Sequence, residues 1–168
     1  LEKAIIESCD VYFYQMIQKM KLDELADAAK QFGFGLETYI DLPSELKGIM
    51  PTGQFMNRLY GRWGWAQGAL LNMAIGQGEI LVTPLQMSRY INMLATKGKV
   101  RTLHIVKNKN HNIPEPDISI ESWNLMQDYM SKVVTAPKGT GRRSNPKILG
   151  LKIWGKTGTA ENPHGQPH

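Results

Sequence analysis

The chain is short of several things, and each shortage narrows what it does. It has one cysteine, Cys9, so no internal disulfide staples it. It has no run of 18 apolar residues, so no segment reads as a membrane-spanning helix. No block of like charge appears. The net charge is +5, but Lys97, Lys99 and Arg101, then Lys107 and Lys109, then Arg142 and Arg143 are dispersed and have no aromatic residues interleaved with them. That scatter lacks the clustered footprint of a nucleic-acid surface, and nucleic acid is not an expected partner. The four histidines, His104, His111, His164 and His168, show no metal-ligand spacing and read as surface residues. There is no internal repeat, low-complexity tract or signal peptide. Leu1 opens inside what reads as a helix, so the 168 residues are expected to be part of one larger domain, truncated at both ends.

What is present is ordinary globular material, 42% hydrophobic and 21% charged, enough to bury one core. Residues 1–8 read as the last turns of a helix. Asp10 is placed to cap a second helix over 11–20, with Val11, Tyr14, Ile17 and Met20 on one face. Asp23 is expected to cap a third, ended by Gly33. Residues 34–66, punctuated by Pro43, Pro51 and six glycines from Gly33 to Gly64, read as irregular, anchored by Trp63 and Trp65. A short helix is expected near Ala69–Ile75.

The clearest helix spans 83–97. Thr83 caps it, Pro84 takes the first position and Gln86 completes a reciprocal capping pair. Its apolar stripe is read as Leu85, Met87, Ile91, Leu94 and Ala95. Residues 100–107 and 151–160 read as strands. Between them lie a polar loop and a helix from Ser119 to about Val134, with Trp123, Met126, Met130 and Val133 inward. After that helix, Thr135–Lys147 reads as a basic, glycine-rich loop. The expected class is α/β of the α+β type: a helical lobe with part of an antiparallel sheet.

Two short motifs carry chemistry. In Lys156-Thr157-Gly158-Thr159-Ala160, a lysine and two hydroxyls sit on an expected strand edge, which suits binding of a carboxylate. Gly158 leaves room for the backbone of an extended peptide. In Ser8-Cys9-Asp10, a serine hydroxyl near a lysine suits proton relay. Helix capping by Ser8 and Asp10 is the plainer reading of the same residues.

Together these match the order of the S-x-x-K, S-x-N and K-T-G set of serine penicillin-binding proteins and related β-lactamases. The runs IGQGEILVTPLQM (75–87), Gly139-Thr140-Gly141 and Gly155–Glu161 resemble penicillin-binding transpeptidases in the same order. Ser8–Tyr14 resembles the class B subgroup of cell elongation. The resemblance implies that Ser8 is the relay serine and Lys156 orients it. It implies that Thr157 and Thr159 bind the terminal carboxylate, with the Thr159 N–H as half of an oxyanion hole. The implied substrate is a peptidoglycan stem peptide ending in D-Ala-D-Ala, cross-linked through a serine acyl-enzyme that β-lactams intercept. The implied setting is the periplasmic face of the bacterial inner membrane, in a membrane-anchored parent working with the cell-elongation machinery.

The chain departs from this pattern in three places. Asp10 stands where the motif usually has Asn, and an ionised Asp accepts hydrogen bonds without donating, so its expected substrate contact is weakened. Cys9 resembles a zinc ligand of some subgroup members, whose Asp and His partners lie N-terminal to it; no complete metal site, and no other cofactor, is expected. The S-x-x-K nucleophile is not found before Ser8. The two later matches, Ser44–Lys47 and Ser144–Lys147, fall in a loop and across Pro146, where a helix is disfavoured. The chain alone is therefore expected to be inert. A non-catalytic relative that binds peptidoglycan or β-lactam is the alternative, and a related β-lactamase or β-lactam sensor fits less well.

Overall fold

In the computed structural model, residues 1–62, 64–106, 111 and 113–158 are described. Seven α-helices are formed among them: α1 Glu2–Ile6, α2 Asp10–Ile17, α3 Leu22–Gln31, α4 Gly53–Tyr60, α5 Gln67–Ala74, α6 Pro84–Thr96 and α7 Ile120–Thr135, followed by a 3-10 turn at Arg142–Ser144. No helix is long and apolar enough to cross a membrane among those residues.

The helices bury two clusters. Ile17, Leu22, Met56, Leu70 and Met73 join α2 to α5, with Trp65 packed on their edge and its indole N–H donating to Asn57 Oδ1 at 2.8 Å. Met93, Leu94, Trp123 and Met130 join α6 to α7. Trp65 thus serves as the expected anchor, while Trp63 lies outside the described residues.

Several local expectations give way for identifiable reasons. Asp10 does not cap α2; Cys9 holds that position without a side-chain bond, Asp10 is the first helical residue, and the helix ends at Ile17 rather than Met20. A carboxylate in a first turn is favoured by the helix dipole even when it caps nothing. Helix α3 begins at Leu22, where Glu24 accepts from the Lys21 N–H at 2.9 Å. Asp23 is used elsewhere, accepting from the Gly53 N–H at 2.8 Å. That contact helps to start α4, a helix inside the stretch expected to be irregular, whose cap is Thr52 accepting from Phe55 N–H.

Helix α6 has the expected start, with Thr83 and Gln86 each accepting from the other's backbone N–H. Its buried face keeps Leu94 of the expected stripe but not the rest. Gln86, Arg89, Met93 and Leu94 are buried, whereas Met87 and Ile91 are exposed. Gln86 explains part of this choice: its Nε2 donates to the Leu36 and Lys47 carbonyls at 2.8 and 2.7 Å, so the loop before α4 is tied to the helix.

No strand forms among the described residues; the one pairing is an isolated antiparallel bridge between Ile49 and Leu81. A strand needs a ladder partner to satisfy its backbone groups. Over 100–106 that role falls to Asp41, whose two carboxylate oxygens accept from the Ile105 and Val106 N–H groups at 2.7 Å each. Over 151–158 the chain has no ladder, and a single bond, Gly155 N–H to the Met130 carbonyl at 3.3 Å, seats it on α7. The sheet half of the expected class is thus not seen in these residues.

Candidate active site

Helices α1 and α7 bring the two motifs together. Lys132 on α7 pairs with Glu2 at 2.6 Å and Asp128 at 2.7 Å, and these carboxylates raise its pKa. Ala4 and Ile5 bury the inner face of α1. After α7 the chain doubles back, and the Thr140 N–H donates to the Ile6 carbonyl at 3.2 Å. The end of α1, the 139–147 loop and the 155–158 segment thereby share one side of α7.

Ser8 occupies the left-handed position that closes α1, with φ 52°. Its N–H donates to the Ile5 carbonyl at 3.4 Å, and the Cys9 N–H donates to Ala4 at 2.9 Å, so two carbonyls of the helix end are satisfied. Glycine is the usual occupant of such a position; a residue with a Cβ costs about 1–2 kcal/mol there. The serine is not a cap in the expected sense, since its hydroxyl does not serve the helix. That hydroxyl instead accepts from Lys156 Nζ at 2.7 Å, across 148 residues of sequence.

The lysine's second bond is to the Thr157 carbonyl at 2.9 Å. Partial burial of the ammonium pushes the Lys156 pKa below the usual lysine value, and the negative charge of Asp10 pulls it partly back. Asp10 makes no ion pair with Lys156 within 4 Å among the described residues, so it acts through its field. Thr157 Oγ1 donates to Thr140 Oγ1 at 2.7 Å. Gly158 has open space where a Cβ would stand. Thr159, Glu161, His164 and His168 lie outside the described residues.

Beside Thr140, Arg142, Arg143 and Lys147 line a cavity of about 650 Å³ that contains no carboxylate side chain. None of the three forms an ion pair among the described residues. Thr140 was legible as part of the Gly139–Gly141 run and the cations as part of a basic loop; nothing local marked the threonine as the partner of Thr157.

Cys9 is exposed, and among the described residues no group of three His, Cys, Asp or Glu side chains gathers to hold a metal. Ser44 lies in a turn with φ 61°, and Ser144 closes the 3-10 turn, so neither stands on an α-helix with the lysine three residues on.

Known proteins resemble this chain along almost its whole length. The model for the penicillin-binding protein transpeptidase domain matches residues 1–168. Peptidoglycan D,D-transpeptidase MrdA of Haemophilus influenzae is 36% identical over 172 residues, covering 96% of this chain and 26% of the relative. The penicillin-binding protein PBP2 of Helicobacter pylori, solved in complex with MreC, superposes with a TM-score of 0.86 at 34% identity, over 96% of this chain and 30% of that one. PBP2 of Pseudomonas aeruginosa, in complex with WCK 5153, gives 0.82 at 32% identity, over 95% of this chain and 38% of that one. The chain belongs to the penicillin-binding protein transpeptidase family, resembles its class B PBP2 members, and spans about a quarter of the length of the curated relatives it matches.

Proposed function

We propose that these residues supply the relay and the substrate-binding edge of a serine D,D-transpeptidase that cross-links peptidoglycan stem peptides. The observation that carries this reading is the 2.7 Å bond from Lys156 Nζ to Ser8 Oγ. It joins a lysine to a hydroxyl held on a strained backbone, which is a place where a fold spends stability for chemistry.

In this reading the acylated serine belongs to an S-x-x-K run outside residues 1–168, because neither Ser44 nor Ser144 shares an α-helix with its lysine. Its hydroxyl attacks the carbonyl of the penultimate D-Ala. The lysine of that run takes the proton of the attacking hydroxyl, the C–N bond to the last D-Ala breaks, and Ser8 gives its hydroxyl proton to the departing amine while the Lys156 ammonium replaces it. The Lys156 ammonium, donating to Ser8, makes the serine hydroxyl a better proton donor. Its charge also attracts the terminal carboxylate of the substrate. Thr157 and Thr159 complete that carboxylate site, and the Thr159 N–H supports the oxyanion. The open face of Gly158 accommodates the peptide backbone. The cations at Arg142, Arg143 and Lys147 suit other anionic parts of the stem peptide. Asp10 keeps Lys156 charged rather than touching substrate.

The same reading places residues 151–160 as one strand of the family's sheet, for which the exposed Leu151, Ile153 and Trp154 are suitable faces. It places the protein at the periplasmic face of the inner membrane, anchored through its parent. Elongation proteins, of the kind seen with the Helicobacter pylori relative, would be its partners, and β-lactams its inhibitors.

The test is mass spectrometry of the full-length protein given a stem peptide ending in D-Ala-D-Ala with an amine acceptor. Release of D-Ala, with a serine acyl adduct and a cross-linked product, supports the reading. Binding of the peptide with no D-Ala released would replace the enzyme by a binding module.

A further inference from the structure

The loop after α7 is held closely and carries three cations with little to bind. The Gly141 N–H donates to the Val133 carbonyl at 3.0 Å, and a Cβ on Gly139 would stand 2.3 Å from that same oxygen. The loop is thus closed onto the end of α7, and the 3-10 turn Arg142–Ser144 starts at once. The Lys147 N–H donates to Asn145 Oδ1 at 3.0 Å, and the third cation returns to the same cavity of about 650 Å³. All three cationic residues are exposed, so an anion reaches them without the fold opening. Arg142 has one long bond, from Nη1 to the Pro137 carbonyl at 3.4 Å. The Arg143 and Lys147 side chains have no ion pair among the described residues. No carboxylate lines the cavity. Like charges gathered on one wall make a field that concentrates anions.

Thr140 relates this cavity to the chemistry. It is part of the cavity wall, and its hydroxyl accepts from Thr157 Oγ1 at 2.7 Å. In the transpeptidase reading, on which this inference rests, Thr157 takes the terminal carboxylate of the donor peptide. The cavity therefore adjoins the end of the donor, past the bond that breaks. The terminal carboxylate is the donor's last group, so the donor has nothing further to place there. Aminolysis of the acyl-enzyme is the reverse of its formation, so the incoming amine takes the place that the D-Ala amine left. The strand that brings this amine is the one that meets the cavity.

We propose that Arg142, Arg143 and Lys147 form a subsite for the acceptor strand, holding a carboxylate that this strand carries besides the one that replaces the D-Ala carboxylate. The acceptor is then an amino acid or peptide with a free amine and at least two carboxylates. Its amine nitrogen attacks the acyl carbonyl and a C–N bond forms. The bond from that carbonyl to the acylated serine oxygen breaks, and the amine's proton passes to that oxygen. The three cations move no proton; they position the amine through charged hydrogen bonds to the carboxylate.

A competition experiment on the full-length protein tests this. A stem-peptide donor ending in D-Ala-D-Ala is supplied with D-glutamate and D-glutamine together, at equal concentration and low ionic strength. The two acceptors match in size and differ by one carboxylate. Mass spectrometry at early times reads D-Ala release and the ratio of the two exchanged peptides. That ratio is set after acylation, so a change in acylation rate cancels from it. D-Glutamate is expected to be incorporated about tenfold more than D-glutamine, as a charged hydrogen-bonded contact gives. The ratio falls to about one in the Arg142→Gln/Arg143→Gln/Lys147→Gln variant, and moves towards one for the unsubstituted protein in about 1 M salt. Should the triple variant fail to fold, Arg143→Gln alone decides, and it lowers the ratio by about half or more. D-Ala release with equal incorporation of the two acceptors, or with neither incorporated, overturns the subsite and leaves the transpeptidase reading standing. So does a D-glutamate preference that salt and the folded variants leave unchanged. No D-Ala release removes that reading, and the subsite with it.

Discussion

Replacing Gln86 by leucine removes three hydrogen bonds while keeping roughly the same volume. The Leu36 carbonyl, the Lys47 carbonyl and the Thr83 N–H all lose their partner, at 2.8, 2.7 and 2.9 Å respectively. Each such bond contributes about 1 kcal/mol net, and more where the group left behind stays out of water. Gln86 is 1% exposed, so its own polar atoms have no access to solvent, and leucine recovers part of the loss by burying apolar surface. The balance is a destabilisation of about 2–4 kcal/mol. Gln86→Glu is expected to be at least as damaging, because an ionised carboxylate would face two carbonyl oxygens. Denaturant unfolding of the full-length protein, read from the transition of this domain, measures both. A loss below about 1 kcal/mol for Gln86→Leu, or a Glu variant as stable as the parent, would refute the idea that this side chain ties the loop to α6.

Gly98→Ala places a Cβ 2.9–3.0 Å from the Trp123 indole, at a residue with φ 90°. The left-handed penalty and overpacking together predict a loss of about 2–4 kcal/mol, and a thermal midpoint within experimental error of the parent would contradict this. Thr140→Val takes away the acceptor of the Thr157 hydroxyl at an exposed position. Thermal stability is expected to hold, while acylation by a fluorescent penicillin slows by about fivefold, corresponding to about 1 kcal/mol of lost positioning. Because burial lowers the Lys156 pKa, its ammonium is lost at a lower pH than an ordinary lysine's, so the acylation rate should fall as pH rises through a value below 10.5. A falling limb at or above that value would count against the assignment.

How much of this was legible in the sequence depended on whether a residue's role was local. The start of α6 was readable because Thr83 and Gln86 act on each other's backbone three residues away and Pro84 suits the first helical position. Ser119 at α7 was readable for the same reason, accepting from the Ser122 N–H at 3.2 Å. The buried face of α6 was misread because apolar periodicity assumes that only apolar side chains go inward, and here Gln86 and Arg89 do. Helix α4 was missed although Thr52 caps it locally, and its second anchor, Asp23, lies 30 residues away from Gly53. Ser8 and Lys156 were readable through the order of their motifs. Their contact, and the left-handed backbone that presents the serine, depend on α1, α7 and the 139–147 loop meeting in space. The strand expected at 151–160 showed the right alternation, but a pattern does not supply a ladder partner.

The central claim is that Lys156 and Ser8 act as one unit in acyl transfer, and the most direct test is the second-order rate of acylation of the full-length protein by a fluorescent penicillin. Ser8→Ala and Lys156→Met are each expected to lower that rate by about a hundredfold or more, with unfolding midpoints unchanged. The double variant should be little worse than either single one, since residues acting together are not additive. A rate within about threefold of the parent for either single variant, or a double variant whose losses multiply, would contradict the account.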